Sequence, residues 1–186
     1  MTEAPLLDTR NRMAIAAIAL IGVFVALYML LYKLGAFGTI LCGTGGCEVV
    51  QNSPWAYFLG VPVAAWGLAG YLLMLAVAMA GVQPRFAPSR WVPAALLALT
   101  SSALLFSVYL SYLEEFVIGA WCQWCILSAI LSVLAFVLAL PEVRRARGGR
   151  AGGAPGPVAA RPGKWLAGGL AIGSAALPPQ RVIQDL

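Results

Sequence analysis

Histidine is absent from the 186 residues, and charge is scarce: 61% of the chain is hydrophobic and 10% is Asp, Glu, Lys or Arg. A soluble domain carries about 25% charged residues. The first absence removes the commonest general base and metal ligand, and with it any Ser-His-Asp or Cys-His mechanism. The second requires lipid as solvent. Cysteine is also sparse. Cys42, Cys47, Cys122 and Cys125 are the only obvious redox or nucleophilic side chains. The net charge of +5 suggests a nucleic-acid partner at first sight. The basic residues cluster beside apolar segments, however, where they act as topology signals. Membrane lipid, not nucleic acid, is the expected environment.

The hydrophobicity falls into uncharged stretches of the length that crosses a bilayer, roughly 20 residues each. The polar tail 1–12 precedes a first span at about 13–32, which reads as an anchor because no small-residue cleavage site follows it. Further spans are expected at about 56–82, 91–113 and 122–140, the last stopped by Pro141. Pro62 suits a helix start, where a missing N–H is tolerated. Gly67 and Gly70 suit either close helix contact or ordinary glycine usage in lipid. Ser101, Ser102, Ser107 and Ser111 are expected to bond back to the preceding turn. A basic, flexible Gly/Ala/Pro linker is expected at 142–164 and a short apolar segment with a tail at 165–186. The fold class is therefore an all-α membrane protein with four transmembrane helices, residues 13–141, and a short extracytoplasmic loop.

Arg10, Arg12, Arg85, Arg90 and the basic residues from Arg144 to Lys164 fall on one side of this arrangement; Lys33, Glu48, Glu114 and Glu115 fall on the other. The positive-inside rule places the N-terminus in the cytoplasm and all four cysteines outside a cell membrane. That side tolerates disulfides.

Cys42-Gly-Thr-Gly-Gly-Cys47 lies in the first outer loop, with glycines that let the backbone bring the thiols within bridging distance. Val49-Val50 and the Ser53-Pro54 turn suggest a short half-buried segment there. Trp121-Cys122-Gln123-Trp124-Cys125 heads the last span. Thiols at i and i+3 share a helix face, and the positive N-terminus stabilises a thiolate. Three uses of the cysteines compete: a four-cysteine metal site in a non-catalytic membrane protein, two structural disulfides, and a redox relay. A Cys-x-x-Cys on a regular helix is a strained staple and so more easily reduced, which favours the relay.

These residues resemble the bacterial branch of the vitamin K epoxide reductase family. The resemblance rests on Cys42 and Cys47 after the first helix, Ser53, Gly60-Val61-Pro62 and Gly67 in the second, and Cys122-x-x-Cys125 at the head of the fourth. In the DsbB family, the other quinone-linked disulfide generator, the order of the two pairs is reversed. The resemblance implies a four-helix bundle around a quinone, ubiquinone or menaquinone, capped by the loop. It implies oxidation of a periplasmic thioredoxin-like (DsbA-like) partner, here expected to be a separate protein, because the chain ends at Leu186 without such a domain. Cys122 and Cys125 would be the active-site pair, Cys42 and Cys47 the shuttle pair, and Cys125 the residue facing the quinone. Ser53 is carried over as a quinone or loop contact, beside its plainer reading as a turn residue before Pro54. Two departures speak against epoxide reduction. Ala129 stands where the animal enzymes have a tyrosine, and Val63 where they have an asparagine.

Overall fold

The computed structural model describes residues 3–36, 38–86, 89 and 91–148. Arg90, the basic residues from Arg150 to Lys164 and the apolar segment Trp165–Leu177 lie outside the described residues. The elements in chain order are α1 (Glu3–Lys33), α2 (Cys47–Asn52), a 3-10 turn (Pro54–Ala56), β1 (Tyr57–Phe58), β2 (Val61–Pro62), α3 (Val63–Val82), α4 (Trp91–Leu113), a π-helical turn (Glu114–Ile118) and α5 (Gln123–Gly148). Among the described residues, four helices are long and apolar enough to cross a membrane.

The helices form a ring. α1 packs on α3 and α5, and α4 packs on the same two. Small side chains let them approach: Ala16, Ala19, Ala26, Ala78, Ala135 and Ala139 are buried in the core beside Ile15, Met74, Val92 and Leu96. This is how helices associate where lipid removes the hydrophobic drive. Gly22 is the tightest such point, since a Cβ there would lie 2.4 Å from the Tyr71 ring. Of the two glycines singled out by sequence, Gly67 would place a Cβ 3.8 Å from Ala26, an ordinary contact, and Gly70 would meet nothing.

Several boundaries differ from expectation. α1 begins about three turns before the expected span, and Arg12 lies inside it, buried, not in a solvated tail. Its Nε lies 3.1 Å from Glu142 Oε2, and its Nη1 donates to the Gly81 carbonyl at 2.6 Å. One side chain thus joins the start of α1 to the ends of α3 and α5. Pro141 does not stop the last helix as its local preference predicts, for α5 continues to Gly148. The Glu142–Arg12 pair anchors the turn beyond the proline, and a lost backbone bond is tolerated where neighbouring helices support the chain. The second span starts at Val63 rather than 56, because Tyr57–Pro62 forms a two-stranded antiparallel hairpin pairing Tyr57 with Pro62 and Phe58 with Val61. The third span matches at Trp91–Leu113. Glu114 and Glu115 do not end it but begin the π-helical turn, which stops at Gly119 in the left-handed conformation (φ 68°).

The serines divide. Ser102 bonds back to the Leu99 carbonyl at 2.9 Å, as expected, whereas Ser107 reaches across to Ser132 on α5 at 3.2 Å.

Candidate active site at the loop and helix junction

The loop between α1 and α2 is stitched to the start of α5. Gln123 Oε1 accepts the Gly43 N–H at 2.7 Å, and its Nε2 donates to the Leu41 carbonyl at 3.1 Å. Trp124 Nε1 donates to the same carbonyl at 2.8 Å, and the Thr44 hydroxyl donates to the Trp121 carbonyl at 2.8 Å. The Tyr28 hydroxyl accepts the Leu41 N–H at 3.0 Å, and its ring packs on Trp124 at a centroid distance of 4.9 Å. Gly46 lies against the backbone of Trp121, and a Cβ there would come within 2.5 Å of the Trp121 oxygen. Lys33, read from sequence as a lone outer charge, donates to the Gln51 carbonyl at the end of α2 and lies 4.5 Å over the Tyr57 ring.

These contacts bring the two cysteine pairs together. Cys42 and Cys47 are joined by a disulfide with a Cα separation of 5.9 Å. Cys122 and Cys125 are free thiols. Cys47 and Cys122 are both fully buried in one cluster with Met29, Ile40 and Val50, while Cys42 and Cys125 pack at its edge, partly exposed. Cys122 precedes α5 at the capping position, its carbonyl accepting the Ile126 N–H at 3.0 Å. A hydrogen bond from the Cys125 thiol, with the backbone N–H groups of Cys125 and Trp124, holds the Cys122 thiol below the ordinary thiol range, although burial and the Glu114 charge act the other way. Helix N-termini stabilise thiolates in this way.

Cys125 borders a cavity of about 340 Å³ lined by the halves of the spanning helices nearest the cysteines. Its wall is mostly apolar, with the aromatic rings of Phe58, Trp66, Phe106 and Trp124. A line of hydroxyls interrupts it: Tyr71 and Ser128 oxygens are 2.8 Å apart, Tyr71 and Ser132 3.5 Å apart. Ser128 and Ser132 follow Cys125 on one helix face, with Ser132 roughly 10 Å deeper at 1.5 Å per residue. Apolar cavities with a few convergent polar groups are the usual form of small-molecule sites.

Ser53 is not among the residues lining this cavity. It follows α2, its hydroxyl donating to the Val50 carbonyl at 2.8 Å, and lines a smaller cavity that Cys125 also borders. Val63 borders both cavities. Glu114, which the sequence marks only as the end of a span, belongs to the site. It is buried at 3% exposure, and its Oε2 accepts the Cys122 N–H at 3.2 Å. An ionisable residue at the end of an apolar span, eight positions before a cysteine motif, was the available signal. Gln123 and Thr44, which tie the loop to the helix, offered none. With Cys42 and Cys47 bonded to each other, no cluster of three or more His, Cys, Asp or Glu side chains capable of holding a metal forms among the described residues.

A disulfide packed against a dithiol at the mouth of a four-helix membrane bundle defines the class: a multi-pass membrane thiol oxidoreductase. The sequence matches the family model of the vitamin K epoxide reductase family over residues 13–140, and the chain belongs to that family.

Proposed function

We propose that this oxidoreductase takes electrons from a thioredoxin-like dithiol protein outside the cytoplasm and passes them to a membrane quinone, supporting disulfide formation in exported proteins. The observation that carries the reading is the placement of the four sulfurs. Cys42 is partly exposed, Cys47 and Cys122 are buried in one cluster, and Cys125 borders a mostly apolar cavity between the spanning helices.

In this reading a partner thiolate attacks Cys42. The Cys42–Cys47 bond breaks, a partner–Cys42 bond forms, and Cys47 leaves as a thiolate. Cys47 then attacks Cys122 of a closed Cys122–Cys125 bond, and Cys125 leaves with the electron pair. The second thiol of the partner displaces Cys42, and the partner departs as a disulfide; the freed Cys42 thiolate attacks Cys47, re-forming the loop bond and releasing Cys122 as a thiolate. The state described here, with the loop pair closed and the helix pair as thiols, corresponds to electrons residing on Cys122 and Cys125.

A quinone head presents a flat apolar ring and carbonyl oxygens that accept hydrogen bonds. The large cavity suits it, with Phe58, Trp66 and Phe106 for the ring and the Tyr71 and Ser128 hydroxyls as donors. When bound, the quinone, of the ubiquinone or menaquinone class, supplies a two-electron acceptor. Cys125 holds the reacting thiol beside it, and the aromatic wall excludes water. Ser53 serves as a loop contact that closes α2 beside Cys125. The membrane domain covers residues 13–141, α5 continues past it to Gly148, and the Arg12 end of the bundle faces the cytoplasm.

The test is oxidation of a reduced thioredoxin-like protein by the purified enzyme in detergent, with and without added quinone. We expect turnover that requires quinone and all four cysteines. Turnover at the same rate without quinone under anaerobic conditions would overturn the proposal.

A further inference from the structure

Glu114 has one oxygen on the Cys122 N–H and the other, Oε1, buried without a hydrogen-bond partner. The π-helical turn that it opens folds back on itself, with the Ala120 N–H bonded to the Glu114 carbonyl at 3.2 Å, which aims the carboxyl at the cysteine motif. Glu114 and Cys125 also border the smaller cavity, about 30 Å³, together with Gln51 and Ser53. That volume exceeds the roughly 10–15 Å³ that one water needs. Cys125 therefore borders two cavities, one large and mostly apolar, the other small and reached by a carboxyl group.

Closing the helix pair releases protons as well as electrons: two thiols become one disulfide, two protons and two electrons. On the function proposed above, both electrons go to a quinone, which takes two protons to become a hydroquinone. Dithiol plus quinone thus balances disulfide plus hydroquinone. An apolar wall cannot accept the Cys125 proton in transit, but a carboxylate can. We propose that Glu114 exchanges this proton, taking it from Cys125 as the pair closes and returning it when the pair is reopened. In the reopening step the Cys122–Cys125 bond breaks as an incoming thiolate bonds Cys122. The Cys125 sulfur leaves with the electron pair and takes the proton from Glu114.

The surroundings leave Glu114 to this partner. From the start of α5 it faces Cys122 and Cys125; on α2, Cys47 is locked in its disulfide and Glu48 is exposed. Glu115 is turned to the Trp121 indole at 2.8 Å, and Tyr112 stacks on Phe116 at 5.0 Å. Lys33 is engaged with the Gln51 carbonyl. Among the described residues no cation is bonded to Glu114.

The inference rests on the proposed function only for the identity of the electron acceptor, so its test uses none. The full-length protein in detergent is reduced, and closure of the Cys122–Cys125 pair by diamide, itself a two-electron, two-proton acceptor, is followed in single turnover from pH 5 to 9. General acid–base assistance is typically worth about 10²–10⁴ in rate. We expect Glu114→Gln to close the pair on the order of 100-fold more slowly at pH 7. Its rate should then climb steeply with pH as hydroxide replaces the lost base, while the wild type stays nearly flat. Gln retains an oxygen for the Cys122 N–H, so the turn should persist. Glu114→Asp keeps a carboxylate and should retain the wild-type pH profile at a reduced rate. If Glu114→Gln fails to fold, the Asp profile decides. A Gln variant that closes at the wild-type rate, or is slowed equally at every pH, overturns the inference; so does an Asp variant whose rate climbs with pH in step with hydroxide. Failure of quinone dependence in the previous assay, with the pH effect intact here, would remove the acceptor and leave the role of Glu114 standing.

Discussion

Replacing Gly46 by alanine should uncouple the two cysteine pairs while leaving each chemically competent. Gly46 precedes α2 with φ −94° and ψ −6°, a conformation that alanine adopts without strain. The objection is spatial. The new Cβ would lie 2.5 Å from the Trp121 oxygen and 2.9 Å from its nitrogen. Both are backbone atoms, so no rotamer change relieves the clash. The loop must withdraw by about 0.9 Å to restore ordinary van der Waals contact. Such overpacking costs about 1–3 kcal/mol. The withdrawal pulls on the Thr44–Trp121 and Gly43–Gln123 hydrogen bonds, which hold the Cys42–Cys47 loop on the segment carrying Cys122. A misplacement of about 1 Å at reacting atoms can lower a rate about 100-fold. The assay uses a Cys125→Ala background. There the Cys122 thiolate attacks the Cys42–Cys47 bond, giving a Cys47–Cys122 disulfide and a Cys42 thiol, which alkylation caps before it can reverse the exchange. Non-reducing peptide mapping should show the bond forming about 100-fold more slowly when Gly46→Ala is added. Reduction of Cys42–Cys47 by dithiothreitol should be little changed. Cross-linking at the undiminished rate would refute the argument that this close approach sets the distance between the pairs.

The order of the thiols predicts that Cys125→Ala accumulates Cys47–Cys122, whereas Cys122→Ala does not trap Cys47 on Cys125 to a similar extent; a dominant Cys42–Cys122 bond in the peptide map would contradict it. Arg12 and Glu142 side chains are 6% and 1% exposed, so Arg12→Ala, which removes the buried cation from the Glu142 carboxylate, should lower stability to denaturant by about 3–5 kcal/mol. Replacing both by apolar residues should recover most of that loss, and equal losses in the single and double variants would remove the ion pair from the account. The lowered thiol of Cys122 stabilises the reduced fold fully above the ordinary thiol value of about 8.5, and that contribution is lost as pH falls through the lower folded value. Unfolding of the reduced protein across that range should therefore show stability rising with pH in wild type, a dependence that Cys122→Ser lacks.

Much of the frame was legible because lipid imposes a length and a composition that can be read directly. The third span begins at Trp91 as its polar flank predicts, while Glu114 and Glu115 carry the helical path on into the π-helical turn. The hairpin Tyr57–Pro62 was hidden because its residues are as apolar as the helix that follows, and hydropathy carries no information on backbone conformation. Pro141 misled because its local preference was overridden by Glu142, whose partner is 130 positions away. Arg12 reads as a topology signal, which depends only on its position, while its burial between α1, α3 and α5 depends on where three helix ends converge.

The sequence by itself determined the solvent, the four spans and the motif chemistry: apolar length fixes how often the chain crosses a bilayer, and a cysteine spacing fixes which thiols can share a helix face. It also carried the family, confirmed over residues 13–140. Only the tertiary structure decided that Cys47 and Cys122 are buried in one cluster, that Cys125 borders both a large apolar cavity and a small one, and that Glu114 turns its carboxyl on the motif. The reason is range. Periodicity and spacing act within a turn or two of the chain, whereas the site is assembled from a loop near residue 44, a π-helical turn at residue 114 and a helix end at residue 122, which meet because four packed helices bring them to one end of the bundle.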